Sequence, residues 1–247
     1  MSSFKIGLAS VTFRKKTAEE IVSIAKKAGI GFIEWGGDVH VRNEADAKKV
    51  KKLCDDSGII ISSYGSYYTV GSNDTAEWER ICSIASIMNA SSVRVWLGKK
   101  DSQITSSEEY ENILNDAKSM CETAEKYGLT VSPECHDNTY NNNTDAFLKI
   151  RNDIGKDNFR TYFQSRYFRM DYDLDRIDRT FDYTLNVHVS YRDLIREQRF
   201  RKKDRKYLDT LLKKLREKNF GGIVMIEFVS FASEKIFLRD VKKLKSY

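Results

Sequence analysis

The chain has 247 residues, a net charge of +6 and 32% charged side chains, an ordinary balance for a globular protein that buries one large core. It contains no uncharged apolar run of membrane-spanning length, and Met1–Ser10 lacks a signal-peptide pattern. Its four cysteines (Cys54, Cys82, Cys121, Cys135) form no CxxC pair, which argues against a zinc cluster or a disulfide framework and for a reducing cytoplasm. Three of them fall in predicted helices, as small buried hydrophobes.

One pattern repeats along the chain: a short apolar run, a polar loop, then an amphipathic helix. Lys5–Ser10 is the first strand, and Thr17 with Glu20 three residues later is a capping-box start for a helix that Gly29 stops. Gly31–Trp35 is the second strand, opening into GGDVH, with a helix from about Glu44 to Ser57 before Gly58. Ile59–Ser63 is the third, followed by a helix from Asp74 or Thr75 to about Asn89. Ser92–Trp96 (SVRVW) is the fourth, and Ser107 caps a long helix to Tyr127.

The fifth strand, Leu129–Glu134, lies in LTVSPECHD and ends on a carboxylate, a thiol, an imidazole and a second carboxylate. Thr144–Asp153 reads as helix and Phe159–Gln164 as the sixth strand. Asp173–Thr180 reads as a short, poorly formed helix, and Thr184–His188 is the seventh strand. Asp204–Lys218 is a strong helix, Gly222–Glu227 the eighth strand, and Ser233 to Lys245 a last helix. Helices of this length between strands imply parallel pairing, because hairpins leave no room for them. Eight such pairs with one proline (Pro133) and no linker predict an α/β fold: a (β/α)8 TIM barrel, single domain, over 1–247. No GxGxxG or GxxxxGK[ST] directs the chain toward a dinucleotide or P-loop fold.

In such a barrel the strand C-termini collect reactive groups at an open mouth. Those ends supply Glu34 and Trp35, Ser62 to Tyr64, Trp96, Glu134 with His136, Gln164 with Arg166, His188, and Glu227. Two carboxylates, an imidazole and a carboxamide from strands five to eight suit a divalent ion such as Mn, Mg, Co or Zn. Glu134 and His136, two apart, are expected to share one strand face and address one ligand.

The segments GFIEWGGDVHV, SVRVW, PECHDNT, TYFQ, NVHV and MIEFV, in this order and spacing, resemble the xylose isomerase-like TIM barrels. That superfamily holds sugar phosphate isomerases and epimerases and the AP endonuclease family 2 proteins. The resemblance spans essentially the whole chain and implies metal ligands at Glu134, Gln164, His188 and Glu227. In the epimerases and isomerases the Gln164 position is commonly Asp, so the carboxamide lowers the charge of the site and weakens its hold on metal. The DNA-repair branch needs several histidines for three zinc ions. Only His40, His136 and His188 occur here, which excludes abasic-site cleavage, and no nucleic-acid partner is expected.

The resemblance implies a metal-assisted isomerase or epimerase of a sugar or sugar phosphate, with Glu134 and Glu227 moving a proton next to a carbonyl through an enediolate. The alternatives are a hydrolase or dehydratase of a polyol-like substrate at the same site, or a non-catalytic sugar-binding barrel. A homodimer is expected, since barrels of this family often pair. Glu34, Trp35 and His40 either bind sugar hydroxyls or order a turn around Gly36–Gly37. Trp96 is a pocket wall or a core aromatic, and His136 contacts substrate or supports Glu134. Tyr64, Tyr67 and Tyr68 line the rim or pack the third loop. Arg166 and Arg192 are the candidates for an anionic substrate group. The basic run Arg192–Lys206 is either a solvated face or a positively charged lid.

Overall fold

In the computed structural model, which describes residues 4–164, 170–189 and 202–247, the apolar runs become eight strands that all pair in parallel. They are β1 (Lys5–Ala9), β2 (Phe32–Gly36), β3 (Ile60–Val70), β4 (Ser92–Leu97), β5 (Thr130–Pro133), β6 (Thr161–Gln164), β7 (Thr184–Val189) and β8 (Ile223–Ile226). The described helices are α1 (Ala18–Ala28), α2 (Glu44–Ser57), α3 (Thr75–Ile87), α4 (Ser107–Lys126), α5 (Thr144–Ile154), α6 (Met170–Thr180), α7 (Lys202–Glu217) and α8 (Glu234–Leu244). The expected (β/α)8 barrel is therefore present. No described helix is long and apolar enough to cross a membrane.

The sheet runs β5-β4-β3-β2-β1-β8-β7-β6 and curls until its two ends meet. At that seam β5 and β6 share only isolated bridges, Val131 with Phe159 and Glu134 with Tyr162. Backbone hydrogen bonds that cross it include Val131 N to Asn158 O at 2.8 Å, Arg160 N to Val131 O at 2.9 Å, and Cys135 N to Tyr162 O at 3.2 Å. The barrel is thus nearly closed, with one weakly laddered joint.

Local chemistry sets the helix ends. Thr17 and Glu20 form the expected capping box at α1, and Gly29 ends it at φ 63°, a left-handed conformation that costs glycine little. The cap of α4 is Ser106, one residue before the expected Ser107, because its hydroxyl accepts from Glu109 N while the Glu109 carboxylate accepts from Ser106 N. Helix α6 is regular over its described residues, Met170–Thr180, not the short and poorly formed helix expected over Asp173–Thr180. Its inward face carries Asp173 and Arg176 beside Ile177, so an apolar period does not show in the sequence. Tyr207 hydroxyl donates to Asp173, and Arg176 Nη2 donates to Asn141 Oδ1 at 2.6 Å. Strand β3 runs on to Val70, well past the expected Ser63. Ser66 Oγ donates to Arg94 O at 2.6 Å, and the ladder resumes with Thr69 opposite Trp96.

Cys54 on α2, Cys82 on α3 and Cys121 on α4 are buried, as is Cys135. Burial pushes Cys54 up to about 11 and Cys82 and Cys121 up to about 12.

Candidate active site

Alternation along each strand sends every second side chain into the barrel. On β4 those residues are Ser92, Arg94 and Trp96; around them stand Glu34 from β2, Ser63 from β3, Glu134 after β5, Tyr162 and Gln164 from β6, His188 from β7 and Glu227 after β8. The interior therefore carries buried charge just below the mouth, where a TIM barrel commonly holds branched apolar layers.

Arg94 is central to it. Its Nη1 donates to Glu134 Oε2 at 2.6 Å and its Nε to Glu34 Oε1 at 3.3 Å, with all three groups almost wholly buried. Ser63 Oγ donates to the other Glu34 oxygen at 2.9 Å. His188 lies between the carboxylates: Nδ1 is 3.0 Å from Glu134 Oε1 and 3.5 Å from Glu227 Oε2, while Nε2 is 3.6 Å from Glu34 Oε1. Gln164 Nε2 donates to Glu227 Oε2 at 3.3 Å. One network thus joins side chains from β2, β4, β5, β6, β7 and β8.

The electrostatics follow from that packing. Burial works to raise the Glu34 and Glu134 carboxyls, but His188 and Arg94 hold both below the usual carboxylate range. Burial would lower His188, yet Glu227, Glu34 and Glu134 push it well above an ordinary imidazole. Arg94 is likewise raised, because Glu134, Glu34 and Glu227 outweigh its desolvation.

Glu227 is held from the far side. Thr12, in the turn after β1, donates to Ile226 O at 3.2 Å and accepts from Phe228 N at 2.9 Å, clamping the backbone on both sides of the glutamate. The loop beyond has left-handed backbone at Phe228 (φ 58°), Phe231 (φ 58°) and Ala232 (φ 46°), each costing about 1 kcal/mol or more for a non-glycine residue.

The structure brings Glu134, Gln164, His188 and Glu227 together. Glu134, His188 and Glu227 each offer a donor atom within 4.8 Å of the others, and Gln164 lies against Glu227. Separations of 3.0 and 3.5 Å match adjacent donors around one small divalent ion, whose bonds run about 2.0–2.2 Å. The buried Gln164 Oε1 has no hydrogen-bond partner, leaving an acceptor available at the same place. The donor set fits a divalent cation. A Gln in place of a carboxylate, with Arg94 close by, makes it a less negative site than three carboxylates and an imidazole would be.

Other expected residues separate. His136 follows the end of β5 at Pro133, and its charge acts on Glu134. Its ring stands edge-on to Trp96 at 4.4 Å, with Tyr67 6.4 Å beyond, forming an aromatic wall at the mouth. Glu34 lies behind His188. Trp35, next along the strand, points to the opposite face and is fully buried. His40 Nδ1 is 2.9 Å from Ser10 Oγ and its ring packs edge-on to Trp35, so it ties the β2 exit to the β1 turn. Tyr64 hydroxyl donates to Val41 O and Tyr68 hydroxyl to Asp74 O, packing roles, whereas Tyr67 is 47% exposed at the rim. Arg166 and Arg192 lie outside the described residues, as does most of the basic run to Lys206. Arg94 escaped the sequence reading; the signal was there, since a residue two before Trp96 shares its inward face.

Comparison with solved structures finds the same fold at low identity. A probable 3-DHS dehydratase, AsbF, involved in petrobactin synthesis in Bacillus anthracis, superposes with a TM-score of 0.80 at 16% identity over 98% of each chain. A D-psicose 3-epimerase from Clostridium cellulolyticum H10 gives 0.75 at 13%, covering 98% of this chain and 97% of that one. An L-ribulose 3-epimerase gives 0.73 at 15%, covering 98% and 86%. No curated protein matches the sequence. A family model described as xylose isomerase-like TIM barrel matches residues 22–247, and with eight parallel strands arranged as that name requires, the chain belongs to this family.

Proposed function

We propose that this protein is a divalent-metal-assisted isomerase or epimerase that moves a proton at a carbon next to the carbonyl of a sugar or sugar phosphate. The observation that carries the reading is the convergence of Glu134, His188 and Glu227 from β5, β7 and β8, with Gln164 from β6 beside them. Glu134 Oε1, His188 Nδ1, Glu227 and Gln164 Oε1 would hold Mn, Mg, Co or Zn. When bound, such an ion polarises the substrate carbonyl and eases loss of the neighbouring proton.

The chain's own groups supply the rest. Glu134, its Oε1 turned toward His188 and Glu227, is the carboxylate that takes the proton. Glu227 approaches from β8, three strands round the barrel, and is the group that returns it. The Tyr67–Trp96–His136 wall offers aromatic faces to the C–H side of a sugar ring. Among the fold neighbours, a D-psicose 3-epimerase and an L-ribulose 3-epimerase accord with this reading, and a probable 3-DHS dehydratase accords with its alternative. The small-molecule partner and a cytoplasmic setting belong to this reading; nucleic acid does not.

The test is isotope exchange. Ketoses and ketose phosphates incubated with the protein and Mn²⁺ in D₂O are followed by NMR for deuterium beside the carbonyl. Exchange is expected with the wild type and should fall by about 10² or more in Glu134→Gln and Glu227→Gln. Release of hydroxide with formation of a conjugated enone would reassign the chemistry to a dehydratase. Binding of sugar with no exchange under any metal would leave a binding barrel.

A further inference from the structure

The mechanism above leaves Arg94 and Glu34 without a chemical step, although both are buried charges at the centre of the site. Their contacts close a ring: Arg94 to Glu134 at 2.6 Å, Glu134 to His188 at 3.0 Å, His188 to Glu34 at 3.6 Å, and Glu34 back to Arg94 at 3.3 Å. The guanidinium, with its fixed fork of donors, engages a carboxylate on each side of one imidazole. By taking Glu134 Oε2 it turns Oε1 toward His188 Nδ1 and Glu227. By taking Glu34 Oε1 it holds that carboxylate against Nε2, the outer face of the same ring. At 3.6 Å that carboxylate restrains the ring through charge and packing, not through a hydrogen bond.

The backbone has made room for this arrangement. At Gly65 on β3 a Cβ would lie 3.1 Å from Arg94 Nη2 and 3.2 Å from Glu34 Oε1, closer than side chains ordinarily tolerate. Tyr67 covers the guanidinium from the mouth side, its ring 5.7 Å from Arg94 Cζ.

We propose that Arg94 is the positioning residue of a divalent-cation site, fixing the Glu134 carboxylate and the His188 ring so that their donors converge before an ion arrives. This rests on the metal-assisted reading of the site. It also makes a counter-intuitive prediction of sign. A positive charge beside a cation site repels the cation, so if Arg94 acted through charge alone its removal would tighten binding. A positioning role requires the opposite.

The experiment measures Mn²⁺ binding by electron paramagnetic resonance on wild type, Arg94→Met, Arg94→Lys and Gly65→Ala, with circular dichroism to establish the folded fraction. Gly65→Ala changes no charge and no ligand; it only crowds the ring, so it decides the matter if Arg94→Met does not fold. Expected are one Mn²⁺ per wild-type chain, and a Kd raised tenfold or more in Arg94→Met and Gly65→Ala, with a broadened spectrum of the residual bound ion. Arg94→Lys, which keeps the charge but not the fork, should also weaken binding. Unchanged or tighter Mn²⁺ binding in folded Arg94→Met, or unchanged binding in both Arg94→Lys and Gly65→Ala, overturns the positioning role while leaving the metal reading intact. Absence of Mn²⁺, Co²⁺, Zn²⁺ and Mg²⁺ binding by the wild type overturns both.

Discussion

Glu34→Gln tests whether the buried carboxylate behind His188 holds the barrel interior together. Gln keeps the shape and one oxygen acceptor but loses the charge and replaces the second acceptor with a donor. Ser63 Oγ at 2.9 Å can turn its hydroxyl to accept from the new amide, so that contact survives. The Arg94 Nε bond at 3.3 Å then falls on a neutral oxygen, and the cation loses one of its two carboxylates. A charge-assisted bond contributes about 1.5–3 kcal/mol and a neutral one about 1, and part of the desolvation of Arg94 goes uncompensated, which together give a loss of about 2–3 kcal/mol. At about 2–4 °C per kcal/mol for a chain of this size, Tm drops by about 4–12 °C. Urea unfolding at neutral pH with an unchanged m-value is the direct assay. Because the folded Glu34 carboxyl lies below its unfolded value of about 4.3, the difference is fully present above that pH and is lost as pH falls through the folded value. A loss under about 0.5 kcal/mol at neutral pH would refute the account of Glu34 as a partner that Arg94 needs.

Two further outcomes follow from the same coordinates. Cys54, Cys82 and Cys121 have folded pKa values raised by burial to about 11 or 12, so their stabilising share is whole below about pH 8.5 and is lost as pH climbs toward the folded values. At about pH 10 each thiol costs about 2 kcal/mol, and a Tm no lower there than at pH 8 would contradict their burial. Trp96→Ala opens the aromatic wall against His136 and Tyr67; KM for the sugar should rise about tenfold, or about 1.4 kcal/mol, with kcat little changed, and an unaltered KM would remove Trp96 from the substrate.

The sequence showed the barrel because each helix announced itself by a cap or a stopping glycine, as at Thr17 and Gly29, and each strand by a compact apolar run. It also showed Glu134, Gln164, His188 and Glu227, since ligand types at four successive strand ends are hard to arrange by accident. The charges beneath them were less legible. Glu34 and Trp35 were both read at the mouth, although neighbours on one strand must point to opposite faces. In SVRVW the apolar residues and the tryptophan drew notice, while the parity that places Arg94 inside did not. Helix α6 hid because its buried face is charged, and a hydrophobic period cannot reveal charges satisfied by distant partners.

The seam between β5 and β6 gives the barrel a clasp. Glu134 stands at one free end of the sheet, and Gln164, His188 and Glu227 at or near the other, so a ligand that gathers these groups would also pull the two ends of the sheet together. With only isolated bridges described across the joint, amides such as Val131, Arg160 and Cys135 are the ladder positions where solvent protons enter with least disruption of the sheet. Occupation of the site would slow hydrogen exchange there more than between β1 and β2, where an unbroken ladder already holds the strands. Under the proposed reading, filling the site and fastening the cylinder would be one event.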